Sequence, residues 1–418
     1  MTSTLPKKQT DVKQGTLYIG VDLAMDRNIA IVIDEQAQRL DRIGFNNSRA
    51  GYDYLYRRLR NLTERQGAIE LLIGMEPTNY FWKLLAADLE QHQIRYRLVN
   101  AYTVKKHREG DQLDRSKDDP RDGFTIAELL RAGKYTKTQL LHDAYADLRN
   151  YAALYRRLQG DIGRQKTLVR VAAGQLFPEL NQVFKDFSGK TAQAMLRNHA
   201  TASVIKAMSL EEFIARVRSD YHGQRLNVSK LRQAHEIAAN SVGLKDGIQA
   251  LQDMLRIHLT TLHVLLVQYE QVRQALEELF LALPEAKYML SIHGLGLTTA
   301  AIVLAEIGNP LNYTNAQQWI KLAGTQPVIN ISGRRKRSTT PMSHKGRSRL
   351  RTALFYACLR LVQVDEVFAY HFQRFQQRDN NPLTKMEALG ALMNRLLRLL
   401  WALIKNQTLY NPAPVPTA

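Results

Sequence analysis

The chain has a single cysteine in 418 residues, Cys358, set in the apolar run 353–361. A disulfide framework and a cysteine-based metal cluster are therefore excluded, and a reducing compartment, the cytoplasm, is expected. Long hydrophobic runs are missing too: the most apolar stretches meet an Arg, Lys or Glu before the roughly 18 residues a membrane helix needs. The opening MTSTLPKKQTDVKQG has no apolar signal core, so neither export nor membrane spanning is expected. Acids are scarce relative to bases, 39 Asp plus Glu against 58 Lys plus Arg, a net charge of +19. Such self-repulsion is most readily tolerated by a protein whose partner is a polyanion, and nucleic acid is the expected partner.

What is present is ordinary globular material, 45% hydrophobic and 23% charged, long enough for roughly two to three domains. After a polar leader of residues 1–15, TLYIGVDLA reads as a buried strand ending on Asp22, and NIAIVIDE and RLDRIGF follow at hairpin-like spacing. A helical pattern over 48–64 leads to the strand IELLIGM, which ends at Glu76. A helix over 79–91, the strand IRYRLVN and a helix over 119–132 complete an α/β order of the RNase H-like (RuvC-like) kind, placed at residues 16–136.

Residues 137–284 read differently. Leu141, Leu148, Tyr155, Ile162 and Val169 recur every seven, as do Ile248, Leu255, Leu262, Tyr269 and Leu276. Two such seams separated by shorter helical patterns predict an antiparallel coiled-coil stalk with a helical tip. Pro284 closes the second seam, and a mainly α-helical domain is expected over 285–408, before a disordered tail at 409–418. It opens with SIHGLGLTTAAIVLAEIG, a helix-hairpin-helix pattern in which Gly294 and Gly296 allow a tight turn that presents backbone N–H groups to a phosphate.

Two constellations carry chemistry. Asp22 and Glu76 end strands that neighbour each other in an RNase H-like sheet, and Asp119 and Asp122, three apart, share a helix face. Carboxylates converging in this way call for a divalent cation, and oxygen-only donors favour Mg²⁺ or Mn²⁺. Asp114 and Asp118 compete with Asp119 on spacing alone. The second constellation is the segment between Glu306 and Asp365, which has no acid but includes Arg334, Arg335, Lys336, Arg337, Lys345, Arg347 and Arg349. It reads as a phosphate-binding surface, with a salt slope of about −0.9 per phosphate contact. Within it Ser332 stands just before Gly333 and four cations, which would stabilise an alkoxide and a phosphoryl transition state. On chemistry alone Ser338, Thr339, Thr340, Ser343 and Ser348 are its rivals, and a passive phosphate-contacting loop is the plainer alternative.

Taken in order, GVDLA, GMEPTNYFWKLL, KDDPRDGFTIAELL, SIHGLGLTTAAIVLAEIG, ISGRRKR and SHKGRSRLRTALF resemble the DEDD transposases of the bridge-RNA-guided insertion-sequence family across nearly the whole chain. The resemblance implies a RuvC-like domain with Asp22, Glu76, Asp119 and Asp122 as catalytic metal ligands, and a C-terminal transposase domain with Ser332 as nucleophile. It also implies donor and target DNA as substrates, a structured guide RNA that pairs with both, composite active sites in a dimer to tetramer, and a nucleoid-associated location. Where the family has Lys-Thr-Asp-x-x-Asp-Ala, Lys117 is here followed by Asp118, and Asp122 by Gly123; Asn79 stands where Gly is common. Aligning back from IAEL places Asp119 and Asp122 on the acidic positions. The alternatives are a DNA invertase of the same family, a hydrolytic RuvC-like junction nuclease and an inert nucleic-acid scaffold.

Overall fold

The computed structural model describes residues 15–77, 80–111, 119–136, 140–220, 226–328, 331–332, 335–336 and 341–412, with the backbone alone at 108–111, 119–120, 331–332 and 335–336. Two compact units divide at Leu140/Leu141.

The first unit holds β1 (Thr16–Asp22), β2 (Arg27–Ile33), β3 (Arg39–Asn46), α1 (Arg49–Gln66), β4 (Glu70–Met75), α2 (Phe81–Gln91), β5 (Tyr96–Leu98), α3 (Ala101–Asp111) and α4 (Asp119–Arg131). The strand order is β3-β2-β1-β4-β5. β1 pairs antiparallel with β2 and parallel with β4. β1 is apolar from Leu17 to Val21 because both of its faces are covered. Leu17, Ile19 and Val21 pack with Leu55 and Leu59 of α1 and Leu85 of α2, whereas Tyr18 packs with Ile126, Ala127 and Leu130 of α4. The mixed sheet is that expected from the sequence, with two differences. β5 is only three residues long, and α3 follows it, a helix too polar for its apolar period to register.

The second unit is mostly helical. α5 (Asp143–Leu176) and α11 (Ile248–Leu281) are each 34 residues long. They run antiparallel: the Tyr155 and Tyr269 rings stack with centroids 4.7 Å apart, and Gln165 donates to the His258 carbonyl at 3.1 Å. At one end their apolar faces join α6 (Leu180–Val183), α7 (Lys190–Asn198), α8 (Ala202–Lys206), α9 (Leu210–Ser219) and α10 (Val228–Ala238) around Phe177, Phe213 and Leu259. At the other end they join α12 (Ala286–Leu290), α13 (Leu297–Ile307), α14 (Ala316–Ala323), α15 (Ser348–Val364), α16 (Glu366–Gln377) and α17 (Lys385–Asn406). The division expected near residue 284 is thus no break in packing, since Leu148, Leu276 and Phe280 share one core with Met289 and Leu304. Leu259 and Phe280, outside the heptad rows, are buried as well. Burial pushes the Cys358 thiol up to about 12, which leaves it a core residue rather than a nucleophile.

Arg149 ties α5 to this core. Its Nε donates to the Ala305 carbonyl and its Nη2 to the Glu306 carbonyl, both at 2.9 Å, at the C-terminal end of α13. Burial, and then the nearby Arg347, bring its guanidinium down to about 10. Arg149→Met removes both charged donors from buried carbonyls and is expected to lower stability by about 3 kcal/mol in denaturant unfolding. Arg157→Met, at an exposed site on the same helix, should stay within about 0.5 kcal/mol. No helix among the described residues is long and apolar enough to cross a membrane.

Candidate active site

Two of the acids, Asp22 and Glu76, stand at the carboxyl ends of the adjacent parallel strands β1 and β4. Gly20 pairs with Gly74 and Val21 with Met75, so Asp22 and Glu76 are the next residues of that register. Side chains alternate along a strand, and Tyr18 and Leu72 face α4. Gly20 and Asp22 of β1, and Gly74 and Glu76 after β4, therefore face α4 as well.

α4 reaches this face because glycine lets it. A Cβ on Gly20 would stand 2.0 Å from the Gly123 carbonyl oxygen and 2.5 Å from the Ala127 nitrogen; one on Gly74 would stand 2.4 Å from Leu130 Cδ1. Gly123 in turn lies against Ile31 Cγ1 and the Gly20 carbonyl, so this glycine sits at the helix-sheet contact. Asp122 immediately precedes that contact. Asp119 opens α4 one turn earlier; its side chain, like Asp118 and Asn79, lies outside the described residues. The described acids Asp22, Glu76 and Asp122 are each half-buried. Among the described residues no three His, Cys, Asp or Glu side chains form a group that could hold a metal ion. The register of Asp22 with Glu76 and the all-oxygen donor set nevertheless fit a hard divalent cation.

In the second unit Ser332 ends β6 (Ile331–Ser332), paired antiparallel with β7 (Arg335–Lys336) in the register Ser332↔Arg335. The flanking chain is pinned by an antiparallel bridge between Pro327 and Met342, with the Val328 N–H donating to the Pro341 carbonyl at 2.8 Å. The side chains of 331–340 are outside the described residues, Arg334, Arg337, Ser338, Thr339 and Thr340 included. Ser343 donates its hydroxyl to the Gly324 carbonyl at 3.1 Å, an engagement that weakens it as a rival nucleophile. Lys345 and Arg349 are exposed. Arg347 instead donates to the Glu306 carbonyl and lies 3.7 Å from its carboxylate, so it braces α13. Gly294 has φ +94°, and a Cβ there would be 2.2 Å from Val364 Cγ2. Gly296 caps α13 in extended geometry.

Two family models match this chain. A DEDD family of the IS110 type, described as a transposase, matches residues 19–178. The transposase IS116/IS110/IS902 family matches residues 286–373. The protein is a DNA transposase. The first match runs from within β1 of the transposase through the rest of the α/β unit and all of α5; the second begins at α12 and includes Ser332. The transposase is 24% identical to the IS117 mini-circle protein of Streptomyces coelicolor, itself named for a transposase, over 77% of this chain and 78% of that one. It is 22% identical to the 44.8 kDa protein of insertion element IS116 from Streptomyces clavuligerus, over 96% and 98%. It is 24% identical to the 42 kDa protein of insertion element IS900 from Mycobacterium paratuberculosis, over 96% and 99%.

Sequence reasoning passed over the residues that hold the turn after Asp22. Asn28, fully buried, accepts from the Ala24 N–H at 3.0 Å and donates to Asn47 Oδ1 at 2.7 Å. Asn47 then donates to the Ala24 and Met25 carbonyls at 2.9 and 3.1 Å. A lone polar residue at the start of the apolar run NIAIVI was the one available sign of this brace in the transposase.

Proposed function

We propose that this transposase excises and inserts its element through a covalent phosphoserine link to DNA, directed by a structured guide RNA. The observation that carries the reading is the in-register pair Asp22 and Glu76 beneath a helix that brings Asp122 to the same sheet face. Ser332 Oγ attacks the scissile phosphorus while the bond to the 3′ oxygen breaks; the serine proton ends, net, on that oxygen. The phosphodiester energy is kept in the Ser332–phosphate ester, so a partner strand's 3′ hydroxyl reseals the chain by the reverse step and frees the serine. Mg²⁺ or Mn²⁺ held by Asp22, Glu76, Asp119 and Asp122 supplies electrostatic stabilisation of the oxygen that leaves. Arg334, Arg335, Lys336, Arg337, Lys345 and Arg349, together with the backbone around Gly294 and Gly296, hold the phosphates; Arg347 contributes through α13.

The α/β unit and the helical unit share this work, the acids of one subunit acting with the serine of another in a dimer to tetramer within the cytoplasm, at the nucleoid. Sequence specificity then lies in base pairing, while the protein recognises backbone shape. The test is recombination of labelled donor and target DNA with and without the element's flanking transcript. Joined product is expected only with the transcript, and changing its pairing segments should move the junction. Product at an unchanged site without RNA would refute guidance.

A further inference from the structure

A pocket of about 570 Å³ lies between α16, α17 and the C-terminal chain. Its volume falls among sites for small ligands, roughly 300–1,000 Å³. Gln407, at φ +55°, ends α17 and turns the chain back. The turn is anchored where the Tyr410 N–H donates to Ser291 Oγ at 2.8 Å and its hydroxyl reaches Asp365 Oδ1 at 3.4 Å. Burial and Asp365 hold that phenol up at about 12, so it stays neutral. Phe368, Phe375, Leu399 and Tyr410 line the pocket. Asn394, also in the wall, is committed to Thr325 through two hydrogen bonds and keeps the wall rigid.

The rim is cationic. Arg395 and Arg398, one helical turn apart and exposed, line the mouth. Among the described residues neither is paired with an acid, whereas Arg49, Arg58, Arg256 and Arg273 all are. The field of Arg395 is felt nearby: burial, then Arg395 and Arg374, lower the His371 imidazole below its ordinary value. Asn411, exposed, lines the pocket together with the arginines and adds an amide.

We propose that this pocket holds one unpaired nucleotide of a nucleic-acid strand, its base against Phe375 and Tyr410 and its phosphate on Arg395 and Arg398. Flat rings with an apolar floor suit a base, and the paired guanidinium groups suit the phosphate. An acidic peptide would satisfy the arginines and leave the rings without a partner. None of the acids, nor Ser332, lines the pocket, and Arg395, Arg398 and Tyr410 lie beyond the residues that the second family matches, 286–373. The asparagine amide can pair with a base edge, as in sites that receive a base turned out of its stack.

The test uses the full-length protein with short single-stranded DNA and RNA of one sequence, each with a single 5-iodouracil for photo-crosslinking. The expected crosslinks fall in peptides containing Phe375 or Tyr410. They should be lost in Phe375→Leu, which keeps most of the apolar volume, and weakened in Arg395→Gln/Arg398→Gln. Removing the same base to leave an abasic site should weaken wild-type binding about tenfold and leave Phe375→Leu binding unchanged. Crosslinking by the DNA strand, the RNA strand or both identifies the source of the nucleotide. Crosslinks confined to other peptides, or equal wild-type binding of intact and abasic strands, would overturn the assignment.

Discussion

Asp22→Asn is expected to reduce strand cleavage by about 10³-fold while leaving the fold intact. The amide keeps the shape of the carboxylate but removes its charge from the end of β1, and loss of one well-placed electrostatic group typically costs about 10²–10³ in rate. Asp22 pairs with Ile29 through its backbone, and that pairing survives the substitution. Thermal unfolding should therefore move little, within about 1 kcal/mol. Cleavage within a few fold of wild type would remove Asp22 from the catalytic set and with it the reading of the strand-end acids. Glu76→Gln, the in-register partner, should behave alike.

Gly20→Ala should cost both stability and activity, although it touches no acid. The added methyl would stand 2.0 Å from the Gly123 carbonyl oxygen and 2.5 Å from the Ala127 nitrogen. Both are backbone atoms of α4, so no side chain can swing aside and the helix must lift by about 1 Å. Overpacking of this kind costs about 1–3 kcal/mol, and a displacement of about 1 Å at a reacting centre costs about 10² in rate. Gly67→Ala is the control. Gly67 has φ +60° and open space around its Cβ position, so alanine there should cost about 1 kcal/mol through backbone strain and leave cleavage unchanged. Equal cleavage by Gly20→Ala and Gly67→Ala would show that the seating of α4 does not position the acids.

Much of this arrangement could be read from the chain because strands buried on one or both faces leave a strong periodic trace. TLYIGVDLA and IELLIGM gave β1 and β4, and their final acids followed from the turn positions. The helix expected over 119–132 is α4, Asp119–Arg131. Other features left no local trace. α3 is polar, β5 owes its three residues to pairing with β4, and the two-residue strands β6 and β7 are too short for any period. The close approach of α4 depends on Gly20, Gly74 and Gly123 meeting in space, which no spacing along the chain reveals. The hydrogen bond of Arg347 to the carbonyl at the end of α13, 41 residues away, left no trace in the run of cations around it.

The most direct test of the account is a denaturing gel of the wild-type protein and Ser332→Ala, incubated with labelled donor and target DNA, Mg²⁺ and the flanking transcript. A protein-linked DNA band in wild type that is absent in Ser332→Ala, with no free nicked strand in the variant, is the predicted result. Undiminished nicked DNA from Ser332→Ala would contradict it and make the reaction a hydrolysis carried by the strand-end acids alone.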